Sequence, residues 1–260
     1  MIDTNLAKEV AKIAKNAGDV ILKIYNEADD FQIQQKDDDS PLTMADKAAN
    51  DVICEGLDKL NVQYPIISEE NKSIDYEVRK DYDYYWLVDP LDGTKEFIKR
   101  NGEFTVNIAL VHNQRPVLGV VYAPVLEEMY YAVKGEGAFI VKGDATEKLS
   151  ASVFSKKDKN LGVVCSRSHL NDLTQQFVDE LDEPNLVATG SSLKFLILAK
   201  GTAHLYPRLA PTMEWDTGAA QIVLEEAGGK VIQAENGEPL LYNKENLLNP
   251  FFIAAGALQS

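Results

Sequence analysis

The run Asp89-Pro90-Leu91-Asp92-Gly93-Thr94-Lys95-Glu96-Phe97 concentrates reactive groups in this 260-residue chain. The apolar residues Tyr84 to Val88 before it read as a buried strand that delivers Asp89 to its end. Pro90 stiffens the next step, and Asp92 can face the same space as Asp89 if the chain turns there. Gly93 permits a tight turn or the close approach of a ligand. Thr94 then opens a short helix whose first N–H groups point outward, a setting that favours phosphate. Two carboxylates beside such a helix end suit divalent cations that bridge protein and phosphate. Magnesium takes oxygen ligands and keeps waters and substrate oxygens around it. The plainer alternative is a turn in which the Asp92 side chain caps the helix.

Further acids sit at comparable places. Glu69 and Glu70 follow Ile66-Ile67 as another strand passing into a loop, although paired glutamates on a loop are commonly just solvated. Asp216, in Glu214-Trp215-Asp216-Thr217-Gly218-Ala219-Ala220, stands at the entrance of a helix. It reads as an N-cap that can also ligate, since a carboxylate has two oxygens.

The elements needed to position these groups follow from apolar periodicity. Leu6, Val10, Ile13, Ala17, Val20, Ile21 and Ile24 predict a helix from about Thr4 to Tyr25. A polar stretch from Gln34 to Ser40 follows. Pro41-Leu42-Thr43 is expected to open a second helix with Ala45, Ala49, Val52, Ile53, Leu57 and Leu60 on its apolar face. Segments 104–110, 116–122, 128–133 and 138–141, joined by short turns, predict an antiparallel meander. After a polar link around 150–159 the pattern alternates: strands near 161–165, 186–189, 203–206, 231–233 and 251–254, with helices near 172–181, 193–200 and 217–227. The last helix stops at Gly228-Gly229. The expected class is α/β (α+β), a layered sandwich with an N-terminal lobe, 1–150, and a C-terminal lobe, 151–260.

Composition narrows the function. A 45% hydrophobic and 26% charged chain is ordinary for a globular protein. No apolar run is long enough to cross a membrane, and the amphipathic N-terminus does not resemble a secretory signal. A net charge of −15 argues against binding a nucleic-acid polymer, but not against a small phosphorylated ligand, because bound cations reverse the local potential. Cys54 and Cys165 are expected to be buried free thiols in a reducing cytosol.

Ser68-Glu69-Glu70, Asp89-Pro90-Leu91-Asp92-Gly93-Thr94 and Trp215-Asp216-Thr217-Gly218-Ala219-Ala220, with Glu226-Ala227-Gly228-Gly229, resemble three signatures of the inositol monophosphatase superfamily. Lys36 and Pro41-Leu42-Thr43-Met44-Ala45-Asp46 are similar to its N-terminal signature, and the likeness runs in order from Lys36 to Gly229. Thr94 to Ile108, Ser166-Arg167-Ser168-His169, Gly190-Ser191-Ser192-Leu193-Lys194-Phe195 and Leu205-Tyr206-Pro207-Arg208 resemble its bacterial 3′(2′),5′-bisphosphate nucleotidase branch. Two departures stand out. Ser68 replaces a glycine found in many relatives. Leu209 stands where inositol phosphatases carry a ring-contacting glutamate, seven residues before Asp216.

The resemblance implies the αβαβα sandwich of the inositol monophosphatase/fructose-bisphosphatase type. It implies two or three Mg2+ ions on Glu69, Asp89, the Leu91 carbonyl, Asp92 and Asp216, with water activated by Glu69 and by Thr94 hydrogen-bonded to Asp46. Gly93 and Thr94 amides would hold the reacting phosphate. Lys36, Lys194 and Arg208, with Arg167 and His169, are the candidates for a second phosphate and the nucleotide, so that the substrate contacts include Lys36, Glu69, Leu91, Asp92, Gly93, Thr94, Lys194, Arg208 and Asp216. The implied reaction releases the 3′-phosphate of adenosine 3′,5′-bisphosphate, or acts on its sulfated precursor, within sulfur assimilation. Lithium inhibition is implied as well. The alternatives are an inositol or sugar-phosphate phosphatase and a catalytically silent ligand-binding sensor. A monomer or homodimer in the cytosol is expected, with loose attachment to the inner membrane face left open.

Overall fold

The structure, a computed structural model, describes residues 2–27, 34–35, 41–42, 44–71, 73–165 and 170–259, with backbone alone at 34–35 and 41–42. In chain order the elements are α1 (Thr4–Glu27), β1 (Gln34–Gln35), β2 (Pro41–Leu42), α2 (Met44–Asp58), β3 (Ile66–Ser68), α3 (Tyr76–Arg79), β4 (Tyr84–Asp92) and α4 (Thr94–Ile98). The meander follows as β5 (Thr105–His112), β6 (Arg115–Ala123), β7 (Glu128–Val133), β8 (Gly137–Lys142) and β9 (Ala145–Lys148). The remainder is β10 (Val153–Phe154), β11 (Gly162–Cys165), α5 (Asp172–Asp179), β12 (Asn185–Ala188), α6 (Leu193–Ala199), β13 (Leu205–Arg208), α7 (Gly218–Glu226), β14 (Lys230–Gln233), β15 (Phe252–Ala255) and β16 (Ala257–Leu258).

Burial periodicity arranges these into five layers. The seven-stranded sheet runs β3 to β9 in sequence order; β3 lies parallel to β4, and every later neighbour is antiparallel, with turns from β5 onward that are too short for a crossover. One face carries Trp86, Val88, Ile108 and Leu118 against Val10 and Ile21 of α1 and Ile53 of α2. The alternate residues Leu87, Ala109 and Val121 face α6 and α7 through Leu196, Ile222 and Val223. That inner helical layer also packs on Val164, Tyr206, Val231 and Phe252 of the five-stranded sheet, ordered β12-β11-β13-β15-β14. The far side of this sheet meets α5, with Val163 and Leu205 against Val178. The αβαβα sandwich expected of the sequence is present.

The inner layer fits closely for a simple reason. Ala109, Gly119, Ala132 and Ala138 are cross-strand partners in register and form a row of small residues. A Cβ added at Gly119 would stand 2.4 Å from the Ala219 carbonyl of α7. The helix backbone therefore lies almost on the sheet.

Several boundaries differ from the sequence reading. Pro41-Leu42 belong to β2 instead of opening α2, which begins at Met44. Proline at the start of an extended pair is consistent with its missing N–H. Leu60 lies past the end of α2 but still packs on the same core. The exposed strand β9 and the four-residue α3 carry no apolar periodicity that would announce them. Cys165 is buried as expected, but Cys54 is only half-buried; both are free. No helix among the described residues is long and apolar enough to cross a membrane.

Candidate metal and phosphate site

Asp89 does not end its strand. β4 continues to Asp92 through a bulge: Asp89 pairs with Asn107 and Asp92 with Thr105, so three steps along β4 match two along β5. Alternation would put residues three apart on opposite faces, and the extra residue re-phases the strand. Leu91 turns into the α1/α2 core, while Asp89 and Asp92 both stand opposite β5 residues of the other face. Pro90, with no N–H to donate, is tolerated at such an irregularity. The Leu91 N–H left without a ladder partner donates to Asp89 Oδ1 at 3.1 Å.

Glu69 reaches the same place from β3. Its N–H donates to the Val88 carbonyl at 3.1 Å, which extends the β3–β4 pairing by one residue. Ser68 is buried and donates to Asn50 Oδ1 of α2 at 2.7 Å, so the departure from glycine ties β3 to α2. Asp216 arrives from the inner layer. It is not the N-cap of α7; that position is Thr217, which makes no side-chain capping bond. Asp216 Oδ2 instead accepts the Met213 N–H at 2.9 Å and folds the preceding turn. Its neighbour Glu214, fully buried, accepts from the Asn243 and Lys244 backbone and pairs with Lys244 Nζ, anchoring the turn to the 241–249 segment.

Glu69, Asp89 and Asp216 each offer a carboxylate oxygen within 4.8 Å of the others. Asp89 is 1% exposed. Burial pushes its carboxyl well above the usual range, and the charges of Glu69, Asp92, Asp216 and Asp46 push it further. Asp216 is raised to about 7, first by burial and then by Asp92, against the pull of the Met213 N–H. A converging set of buried oxygen donors, whose ionisation stays disfavoured despite the pull of Arg208 and Lys194, fits a divalent cation that takes oxygen ligands.

Asp92 also departs from the capping alternative. The N-cap of α4 is Gly93, at φ 97°, with no side-chain capping bond. A Cβ at Gly93 would lie 3.1 Å from the Glu103 carbonyl, so both conformation and space call for glycine. Asp92 Oδ2 instead accepts from Ser191 Oγ at 2.6 Å and from the Ser192 N–H at 2.5 Å. Local sequence pattern assigns these serines no role. A small polar pair just before a helix is the signal that could have marked them. Thr94 Oγ1 donates to the Leu91 carbonyl at 3.4 Å, and Asp46 is buried in the first turn of α2.

A cavity of about 570 Å³ opens beside these acids. Asp92, Gly93 and Asp216 line it together with the cations Lys95, Lys99, Lys194 and Arg208. Burial lowers the Lys194 pKa, an effect that the Asp92 charge opposes; its Nζ donates to the Ser191 carbonyl at 3.1 Å. Arg208 donates to the Pro211 carbonyl at 2.7 Å. Lys95 and Lys99 are not among the residues that the sequence marks, since a lysine on a short helix carries no signal that sets it apart from solvated ones. Lys36, Arg167 and His169 lie outside the described residues.

The inositol monophosphatase family model matches residues 3–256. The chain belongs to the inositol monophosphatase family. It is 46% identical over 248 residues to the 3′(2′),5′-bisphosphate nucleotidase CysQ of Salmonella typhimurium strain LT2, covering 95% of this chain and 98% of that protein. The protein of the same name from Escherichia coli strain K12 is 45% identical over 245 residues, 94% of this chain and 97% of its own. Among solved structures, CysQ of Bacteroides thetaiotaomicron, a bacterial member of the family, superposes with a TM-score of 0.86 at 42% identity, covering 98% of each chain. The extragenic suppressor protein suhB of Bartonella henselae gives 0.77 at 25% identity, covering 97% of this chain and 94% of its own.

Proposed function

We propose that this family member is a magnesium-dependent phosphatase that removes the 3′-phosphate of adenosine 3′,5′-bisphosphate, giving AMP and phosphate. The observation that carries the reading is one cavity in which Asp92 and Asp216, two of the proposed metal-binding acids, line the wall together with Lys95, Lys99, Lys194 and Arg208. An ordinary monoester needs only the first set; a second phosphate gives Lys194 and Arg208 something to meet, Arg with a planar fork that suits it. Leu209 supports the same choice. It lines a smaller neighbouring pocket, and its carbonyl accepts from Asn171 Nδ2 at 2.7 Å, while its side chain offers no polar group. The extent and level of identity to nucleotidases of the CysQ name agree.

In this reading Glu69, Asp89, the Leu91 carbonyl, Asp92 and Asp216 hold two or three Mg2+ ions. Magnesium, when bound, supplies positive charge against the phosphoryl oxygens and eases deprotonation of water. Glu69 accepts the proton of the attacking water, and Thr94, with Asp46 behind it, orients that water. The Gly93 and Thr94 amides, at an α4 end whose first N–H groups have no intrahelical acceptor, hold the reacting phosphate as charge spreads over its oxygens. Bound cations would favour the ionised form of Asp89 against the cost of its burial. The sulfated precursor, lithium inhibition and a cytosolic place in sulfur assimilation belong to the same proposal, as does Lys36 near the second phosphate.

The test is phosphate release by purified protein with Mg2+ from adenosine 3′,5′-bisphosphate, with inositol 1-phosphate in parallel. The bisphosphate should be turned over faster. Asp89→Asn should cost roughly 100-fold or more, about 2.7 kcal/mol of transition-state stabilisation. Because asparagine keeps the volume and replaces a carboxyl whose ionisation burial and neighbouring acids disfavour, the variant should melt no lower than wild type in EDTA. A variant that turns over as fast as wild type would remove the metal-site reading.

A further inference from the structure

Asp92 is held from the other half of the chain by a cluster of hydroxyl groups. Thr105, first residue of β5 and fully buried, has its Oγ1 2.8 Å from Ser191 Oγ and 2.7 Å from Ser192 Oγ. Ser192 Oγ donates to Asn107 Oδ1 at 2.9 Å, and Thr105 Oγ1 lies 3.3 Å from the same oxygen. Asn107 and Thr105 are the two β5 residues that the bulge sets opposite Asp89 and Asp92. Ser191 sits at φ 54°, a left-handed conformation uncommon outside glycine, asparagine and aspartate. That conformation brings its hydroxyl and the next N–H onto one and the same oxygen, Asp92 Oδ2.

We infer that Ser191 and Thr105 are positioning residues that fix the Asp92 carboxylate so that its other oxygen is presented to a divalent cation. Two donors on Oδ2 satisfy that atom and lock the side-chain torsion. Among the described residues no hydrogen bond reaches Oδ1, which is left to ligate a cation. Thr105 cannot rotate away, because its hydroxyl spans both serines and is sealed beneath them. The cluster also joins β4 and β5 of the first sheet to the loop before α6, so the ligand set and the inner helical layer are set against each other by hydrogen bonds as well as packing. Charge-assisted bonds of this kind are among the stronger ones, and groups that orient a metal ligand commonly govern affinity. This inference rests on the proposed metal site.

Ser191→Gly is the decisive variant. Glycine takes φ 54° readily, so the loop keeps its shape and only the hydroxyl is lost; the Ser192 N–H contact remains. Thr105→Val removes the buttressing hydroxyl at equal volume, and Thr105→Ser keeps it. Protein stripped with EDTA and desalted is titrated with Mn2+, following heat and the electron-spin signal of free Mn2+. Ser191→Gly and Thr105→Val should weaken the affinity roughly 10–100-fold, with the melting temperature in EDTA unchanged for Ser191→Gly. Thr105→Ser should bind as wild type does. In turnover assays, raised Mg2+ should restore kcat of Ser191→Gly while KM for the bisphosphate stays constant. Ser191→Gly binding Mn2+ as tightly as wild type overturns the inference, as does Thr105→Ser losing as much affinity as Thr105→Val, which would mark a packing role. If Thr105→Val fails to fold, Ser191→Gly decides alone. Wild-type protein that binds no Mn2+ would overturn the site itself, and Asp89→Asn, expected to abolish binding, separates the two failures.

Discussion

Asp89 and Asp216 show at the residue level how a site can be built against folding. Both carboxyls titrate above their ordinary range because burial and like charges disfavour ionisation. The sign of the consequence follows from proton linkage. An acid raised in the folded state binds more protons there than in the unfolded chain, so its contribution is complete below the unfolded pKa and is lost as pH rises. For Asp216 that loss runs from the ordinary 3.8 up to about 7. In EDTA the protein should therefore melt higher at about pH 5.5 than at about pH 8, and added Mg2+ should raise the melting temperature more at the higher pH, where cations need displace fewer protons. Calorimetry in matched buffers decides this; equal Mg2+ effects at both values would mean that the acids are not converging on a cation. The identities of these residues were legible early because acids at the ends of apolar runs are conspicuous. Their partners were not. Asp216 looked like an N-cap, and nothing in a one-dimensional pattern says that its carboxylate turns back to Met213. Ser191 and Thr105 meet across 86 positions of sequence, a distance that no local spacing rule bridges.

Elements came through unevenly, and for physical reasons. The amphipathic α1, the meander and the βα alternation of the second half carry strong periodicity, because each has one face or both faces buried. β9, exposed throughout, and α3, which is one turn long, have no periodic signal to read. The parallel pairing of β3 with β4 was likewise invisible, since it depends on where α2 returns the chain. Close packing of α7 on the sheet was hidden in the small residues of the meander, and it makes Gly119 a sensitive position. Gly119→Ala would drive a methyl group into the Ala219 carbonyl and Ile222. We expect a loss of about 1–3 kcal/mol, the range for an overfilled core, measured by denaturant titration. Alanine at the neighbouring Ala132 position already fits, so a neutral result at Gly119 would show that α7 can lift away from the sheet.

At the scale of the whole molecule, the expected division near residue 150 coincides with the passage from one sheet to the other, yet one hydrophobic cluster includes Ile67, Tyr130, Leu196, Val223, Tyr206 and Ala254. Residues of both sheets and of the helices between them lose water together. Thermal unfolding should accordingly be a single calorimetric transition with equal calorimetric and van't Hoff enthalpies; two resolved transitions would favour lobes that fold independently. The layered order was legible from the succession of patterns, whereas the shared core was not, because periodicity tells which face is apolar and not what it meets. The bulge in β4 has a consequence for the chain as a whole. It encodes the alignment of two acids in the number of residues rather than in their kinds, like a spacer that sets the phase between two gratings. Any exchange of Pro90 or Leu91 for another amino acid leaves that count intact. Loss of a single residue there would return β4 to plain alternation, so Asp89 and Asp92 would still share a side, but the Leu91 N–H contact to Asp89 that the bulge provides would be gone.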